Sequence, residues 1–578
     1  MNPVISIGNQ DFGNIRETHS FYIDKTYMIM EWWENNDPVT LITRPRRFGK
    51  TLNMSMMEHF FSAKYTGRKD LFEGLCIWEE EKYRELQGTY PVISLSFADI
   101  KGSTFEATRD GIISTLLDLY RKHDYLLKED VLSDLEKRDF YTLGQHIGEN
   151  KDVKREITEN TICWAIKNLM AYMVRFCQKK VIVLLDEYDT PLQEAYVSGY
   201  WKPLIALIRG MFNSTFKTND YLYRGLLTGI TRVSKESVFS DLNNLEVVTT
   251  TSEKYASCFG FTQKEVFAAL EDRGLSAEKE NIKHWYDCFY FGERTDIYNP
   301  WSITKYLDTK EYRTYWADTS SNALVSELIK QGTPELKMQM EDLLSGECLK
   351  VLLDEQVIFE QLKTKKGAIW SLLVASGYLK PVSRQFNPIM SKFTYFLKIT
   401  NYETLLMFQE MISGWFPEDN TSYSNFKEAL VLGDLDYMNQ FMNEVSEEMF
   451  GSFDVGRKPS EKTHPERFYH GFVLGLIVDM ADRYHIRSNR QSGFGRYDVM
   501  MEPKNTTDDA IVMEFKVFSK AKDQTLEKAA ENALQQIDKM KYDTELIARG
   551  IPKARIRHYG FAFDGQTVLI AEDSPCTR

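Results

Sequence analysis

Through the first 250 residues, short, mostly apolar runs alternate with longer stretches of helical period. Val39–Thr43, Tyr90–Phe97, Lys180–Leu185 and Tyr223–Ile230 are the apolar runs. Mostly apolar runs of this length suit strands buried on both faces, so they predict βαβ units around a parallel sheet. The entry segment predicts one helix, roughly Lys25–Asn35, and the charged, helix-rich stretch Thr104–Thr161 reads as an insertion on the core. Residues 251–330 read as a helical lid with an aromatic cluster, WYDCFYFG (Trp285–Gly292) and YNPWSITKYL (Tyr298–Leu307). Residues 331–420 run helix, strand, strand, helix, the order of a winged helix; 421–460 read as a helical linker ending in GSFDVGRKPSEK (Gly451–Lys462). The last stretch, 461–578, changes pattern. A helix (His464–Tyr484) precedes strands at His485–Arg490, Tyr497–Glu502 and Ala510–Phe518, then a helix (Thr525–Tyr542) and a strand pair in Arg557–Glu572. The prediction is a multidomain α/β chain.

Composition narrows the function classes. At 578 residues the chain is too long for one core. Its seven cysteines are scattered without a CxxC pair, which argues against structural zinc and a disulfide framework. No signal-peptide pattern opens the sequence and no apolar run nears the roughly 20 residues of a membrane span, so a cytoplasmic protein without membrane contact is expected. The net charge of −13 does not suggest a general nucleic-acid binder, and residues 461–578 are balanced, with 18 basic and 18 acidic side chains. Any DNA contact has to come from local patches.

Two constellations carry chemistry. The segment VTLITRPRRFGKTLNMSMMEHFF (Val39–Phe61) runs strand, loop, helix, and its Gly49-Lys50-Thr51 has the last three residues of a P-loop. A P-loop presents backbone N–H groups and a helix N-terminus to phosphates, its lysine neutralises phosphate oxygens and its hydroxyl binds magnesium. Arg44 stands where the usual pattern has its first glycine, and Arg46 and Arg47 add positive charge beside the candidate ATP phosphates. Much later, KKVIVLLDEYD (Lys179–Asp189) is an apolar strand ending in Asp186, a candidate magnesium ligand, and Glu187, a candidate for polarising the attacking water. A third strand ends in Thr228 and Thr231, one of which could sense the γ-phosphate.

Near the C-terminus, RYDVMM (Arg496–Met501) and AIVMEFKV (Ala510–Val517) predict neighbouring strands. Strand alternation puts Glu514 and Lys516 on one face, and a hairpin can set Asp498 beside them. Asp498 and Glu514 can then hold Mg2+ (or Mn2+), with Lys516 orienting water or stabilising developing charge on a phosphodiester. Glu466 could add a carboxylate from the preceding helix and Gln536 could face the site from the following one. Gly493 and Gly495 would let a substrate approach the backbone.

The phrases FYIDKTYMI, LITRPRRFGKTLNMSMMEHFF, VIVLLDEYDTPL and GLLTGITRVSKES resemble the AAA-ATPase-like family of bacterial proteins. ERFYHGFVLGL, GRYDVMM, VMEFKV and ALQQIDKMKY resemble the PD-(D/E)XK nuclease superfamily domain fused to it. The resemblance implies a P-loop ATPase core with a lid and winged helix, followed by a restriction-endonuclease-like fold. The matching positions are Lys50, Thr51, Asp186 and Glu187 for nucleotide and Asp498, Glu514 and Lys516 for cleavage. The expectation is an ATP-gated or ATP-driven, magnesium-dependent DNA nuclease. The alternatives are a nucleotide-controlled switch whose nuclease-like fold only docks DNA or protein, and an ATPase in which that fold helps build a homo-oligomer, with Arg46, Arg47 and Arg232 as candidate arginine fingers.

Overall fold

The computed structural model describes residues 3–128, 131–144, 157–231, 238–239, 241–316, 323–330, 334–344, 346–353, 367–388, 392–413, 420–450, 473, 477, 480, 483–488, 491–492, 495–496, 498–505, 508–518, 523, 525–564 and 567–573. The chain divides into two compact units, one of 1–324 with 350–404 and one of 325–349 with 405–578. Among the described residues no helix is long and apolar enough to cross a membrane.

The first unit is built on a five-stranded, all-parallel sheet of β1 (Val39–Thr43), β2 (Val92–Ser96), β3 (Val181–Asp186), β4 (Leu222–Gly229) and β5 (Leu245–Val248), in the order β2-β3-β4-β1-β5. Every residue of β1 and β3 is buried, including the polar Thr40, Thr43 and Asp186 among their apolar neighbours. The chain leaves β1 for the far edge of the sheet at β2, so the strand order reverses beside β1. A crevice at the carboxyl ends of the strands forms at such a reversal. Phe105–Lys122 turns Ile112, Leu116 and Tyr120 inward and packs on β2. It is therefore part of the β2–β3 crossover, and not an appended insertion as its charge suggested: the charges occupy the outer face of an amphipathic helix.

Beyond β5 the region expected to be helical also carries a small antiparallel sheet of Phe261–Thr262, Arg294–Tyr298 and Phe289–Phe291. The aromatic cluster supplies its packing, with Tyr286, Tyr298 and Tyr306 buried between the helices Gln263–Asp272, Lys279–Tyr286 and Pro300–Thr309. A hairpin of Leu379–Asn387 and Lys392–Ile399 completes the unit.

The second unit holds a mixed five-stranded sheet of β6 (Tyr484–Ser488), β7 (Val499–Pro503), β8 (Ala510–Val517), β9 (Ile556–Asp564) and β10 (Thr567–Asp573), in sequential order. Only β8 and β9 run parallel, joined through the helix Leu526–Met540. Side chains alternate between its faces. Ile511, Met513 and Phe515 face one layer with Phe426, Met438 and Met442, while Ala510 and Val512 face Ile537 and Tyr542. The helices Asn420–Leu432 and Leu435–Phe450, expected as a linker, instead cover the first of these faces. Asn439 and Asn443, one helical turn apart, each exchange two hydrogen bonds with the backbone of the edge strand β10, at Ile570 and Val568. Those amides satisfy an edge that would otherwise be open to a foreign strand.

Candidate active sites

The carboxyl ends of β1, β3 and β4 bring the first constellation together. Gly49 adopts φ +80° and turns the chain into the helix Lys50–Phe61, a conformation that favours glycine. Thr51 Oγ1 donates to Asp186 Oδ2 at 2.6 Å, and Thr228 Oγ1 donates to Asp186 Oδ1. Asp186 is 4% exposed. Burial, then the neighbouring Glu187 charge, pushes its carboxyl above the ordinary range. Lys50 Nζ lies 3.3 Å from Glu187 Oε1 and donates to the carbonyls of Pro45 (3.1 Å) and Arg44 (3.3 Å). Glu187 sits at φ +52°, a left-handed conformation that is costly for a residue with a Cβ and that clusters at functional sites.

A cavity of about 730 Å³ opens onto these groups, lined by Arg46, Arg47, Lys50, Thr51, Asp186 and Glu187. The Arg47 guanidinium stacks on Trp301, 4.3 Å from its ring centroid. The Arg46 carbonyl accepts from the Trp316 indole at 3.1 Å. One volume thus gathers several cations with a hydroxyl and two carboxylates. The oxygen donors of Thr51 and Asp186 suit a hard divalent cation such as Mg2+.

Three features of this site escaped the reading of the sequence. Arg44, in place of a P-loop glycine, is fully buried and points away from the cavity. It donates to the carbonyls of Thr43 (2.9 Å), Thr249 (2.8 Å), Tyr255 (3.3 Å) and Lys254 (3.4 Å), and lies 4.6 Å from the Phe291 ring. Burial pushes its guanidinium down to about 10. It ties the loop to the segment after β5. Asp189 is also fully buried, and its Oδ2 accepts from Ile230 N, Thr231 N and Thr231 Oγ1 at 2.8–3.0 Å. That clamp holds the ends of β3 and β4 together, so Thr231 serves Asp189 while Thr228 serves Asp186. Finally, the entry segment lines the same cavity with Ile5, Ile7, Phe21 and Ile23. The GKT phrase signals a phosphate site, but nothing local signals which distant apolar residues close it. Arg232 lies outside the described residues.

In the second unit the register Val499↔Met513 sets Asp498, one residue ahead of β7, across from Glu514. Asp498 Oδ2 accepts from Phe515 N at 2.8 Å. Glu514 is 2% exposed, and its Oε1 accepts from Lys516 Nζ at 3.1 Å and from Gln536 Nε2. Gln536 Nε2 also lies 3.2 Å from the Tyr542 hydroxyl. Asp498, Glu514, Lys516 and Gln536 therefore meet on one patch. Gly560 makes the approach of the helix possible. It pairs with Glu514, and a Cβ there would fall 2.5 Å from the Ala530 carbonyl oxygen and 3.2 Å from Ala533. The small residues Ala529, Ala530 and Ala533 in AAENAL carry the sequence signal for that close packing.

The carboxylates of Asp498 and Glu514 are oxygen donors of the kind that suits Mg2+, which keeps several of its own waters. Among the described residues no group of three or more His, Cys, Asp or Glu converges on a metal position. Glu466 and Gly493 lie outside the described residues. Gly495 lies in a two-residue strand paired with Ser492.

Comparison with known proteins accords with this division. Residues 6–239 match the family model described as Predicted AAA-ATPase, and residues 464–573 match that of the PD-(D/E)XK nuclease superfamily. The chain is similar to an uncharacterized protein in the vnfD 5' region of Azotobacter chroococcum mcd 1, 25% identical over 346 residues. The match spans 58% of this chain and 58% of that relative, so little more than half of either is compared. The parallel sheet with its GKT loop is a P-loop-like core, the C-terminal mixed sheet is consistent with a nuclease domain, and the chain joins an AAA-ATPase-like region to a PD-(D/E)XK nuclease superfamily region.

Proposed function

We propose that the protein is an ATP-controlled, magnesium-dependent DNA nuclease. The observation that carries this reading is the convergence of a buried acid with its chemical partners at both sites: Asp186 with Thr51 and Thr228, and Glu514 with Asp498, Lys516 and Gln536.

At the first site, Lys50 exchanges its contacts with Glu187 and the loop carbonyls for phosphate oxygens of ATP, and the helix N-terminus after Gly49 adds backbone donors. That exchange frees Glu187 to accept a proton from the attacking water. Thr51 and Asp186 would hold Mg2+, which supplies charge neutralisation between the phosphates. At the second site Asp498 and Glu514 would hold Mg2+ or Mn2+, which supplies a polarised phosphodiester and an acidified water. Lys516 leaves Glu514 to stabilise charge on the phosphate, and Gln536 keeps the Glu514 carboxylate oriented.

A route for control is supported by packing inside the first unit. Gly377, at the base of the hairpin, lies against the nucleotide loop: a Cβ there would fall 2.8 Å from Pro45 Cγ. Trp316 donates to the Arg46 carbonyl and packs its ring 5.3 Å from Tyr378. This packing joins the loop to the base of the hairpin within the first unit.

The test is cleavage of labelled DNA by the full chain with Mg2+ or Mn2+, with and without ATP, beside Glu514→Gln. Cleavage that responds to ATP and vanishes in the variant supports the reading. A chain that binds ATP and cuts nothing supports the rival, a nucleotide-controlled docking protein.

A further inference from the structure

The hairpin of Leu379–Asn387 and Lys392–Ile399 carries two large rings into solvent. Phe386 and Phe393 are 51% and 40% exposed. They are direct cross-strand partners, so both rings stand on one face, with centroids 5.2 Å apart. Arg384, two residues before Phe386 and thus on the same face, places its guanidinium 5.1 Å from the Phe393 ring. The proximal half of the hairpin is anchored, with Leu379, Tyr395 and Leu397 buried. The distal half from Ser383 to Phe386, with Lys392 and Phe393 opposite, stands exposed.

Charge on this element runs against the rest of the protein. Between Leu379 and Ile399 the basic residues are Lys380, Arg384, Lys392 and Lys398, and no Asp or Glu occurs, in a chain whose net charge is −13. Aromatic rings interleaved with cations form a surface on which bases stack while the backbone phosphates are neutralised. The rings select unpaired bases, because in a duplex each base is already covered by its neighbours.

We propose that this hairpin binds single-stranded DNA, with Phe386 and Phe393 stacking on bases and Arg384 and Lys392 meeting phosphates. The proposal rests on the nuclease reading only in making a polynucleotide the substrate, and it assigns a strand contact to the first unit, whereas Asp498 and Glu514 belong to the second.

The experiment is fluorescence anisotropy of a labelled oligodeoxythymidine of about 16 nucleotides with the full-length protein in EDTA, so that nothing is cut. Phe386→Ala and Phe393→Ala should each weaken binding about tenfold, and Phe386→Tyr should restore it. Arg384→Ala should lower the slope of log affinity against log salt by about 0.7. Because both rings are exposed, circular dichroism and melting should match the parent. Parent-like affinity in the double Phe→Ala variant overturns the proposal. So does equal binding of a duplex competitor, or binding of vesicles containing phosphatidylserine in place of the oligonucleotide. A cleavage assay of the parent with Mg2+ or Mn2+ separates this from the nuclease reading: intact oligonucleotide binding by a parent chain that cuts nothing sinks only the nuclease.

Discussion

Asp186 is met by hydroxyls from 135 residues upstream, at Thr51, and 42 residues downstream, at Thr228, whereas Glu514 is met by Lys516 and Gln536, two and 22 residues away. The first site exists only where the ends of three parallel strands come together, and buried residues outside the cavity, Arg44 and Asp189, hold those ends in place. The second is a local device: one antiparallel pair, one alternation and one crossover helix. If the first site binds ATP, long-range assembly would make it sensitive to anything that shifts its sheet or loop, as the proposed control requires. Local assembly gives the second patch fewer distant supports, with its weak point in the packing of one helix on one glycine.

The largest effects should come from the groups that would touch ligand. Lys50→Ala should abolish saturable ATP binding in equilibrium titration while leaving the metal-dependent response of the second unit intact. Asp498→Ala should remove cleavage without altering the circular dichroism of the folded chain. Parent-like cutting by that variant would break the assignment of the second site.

Next come residues that act through others. Gln536→Ala should lower cleavage about 10- to 100-fold, the range found when the partner that orients a metal ligand is lost. ATP binding should not change. Gly560→Leu forces a side chain into the Ala530 carbonyl and should destabilise the second unit by about 1–3 kcal/mol, read as a lower denaturant midpoint. In the first unit, Arg44→Met leaves carbonyls of the loop and the segment after β5 without their donor. It should cost about 1–3 kcal/mol and weaken ATP binding although Arg44 points away from the cavity. Unchanged stability and affinity in that variant would contradict the role given to long-range ties.

How much of this the sequence disclosed follows the same division. Asp498, Glu514, Lys516 and Gln536 were legible because strand alternation and one helix fix their relation within some 40 residues. Lys50, Thr51 and Asp186 were legible as separate motifs, since VTLIT and VIVLL announce buried strands and their polar ends announce chemistry. Arg44 could not be read, because an arginine beside GKT suggests a phosphate contact until its burial under Phe291 is known. Asp189 was hidden among the acids of DEYD, and its distinction lies in the backbone N–H groups of Ile230 and Thr231, just past β4. The helices over 420–450 looked like a linker since nothing local shows that Asn439 and Asn443 would meet a strand edge.

The smallest effect is one of pH. Burial raises the Asp186 carboxyl above its unfolded value, so the native state binds more protons than the unfolded chain between the two values. Stability therefore falls as pH rises through that window and stays lower above it. Asp186→Asn should melt at a higher temperature than the parent at pH 8, with the difference shrinking as pH falls towards the ordinary carboxylate range. A lower melting temperature at pH 8 would show that the Thr51 and Thr228 hydrogen bonds outweigh the desolvation of the charge.

The most direct test of ATP control is the initial rate of DNA cleavage with Mg2+ as ATP is titrated, for the parent, Lys50→Ala and Glu514→Gln side by side. The account predicts a parent rate that changes with ATP and saturates, a Lys50→Ala rate indifferent to ATP, and no cleavage by Glu514→Gln at any ATP concentration. A Glu514→Gln chain that cuts like the parent, or a Lys50→Ala chain that keeps the parent's ATP response, would contradict it.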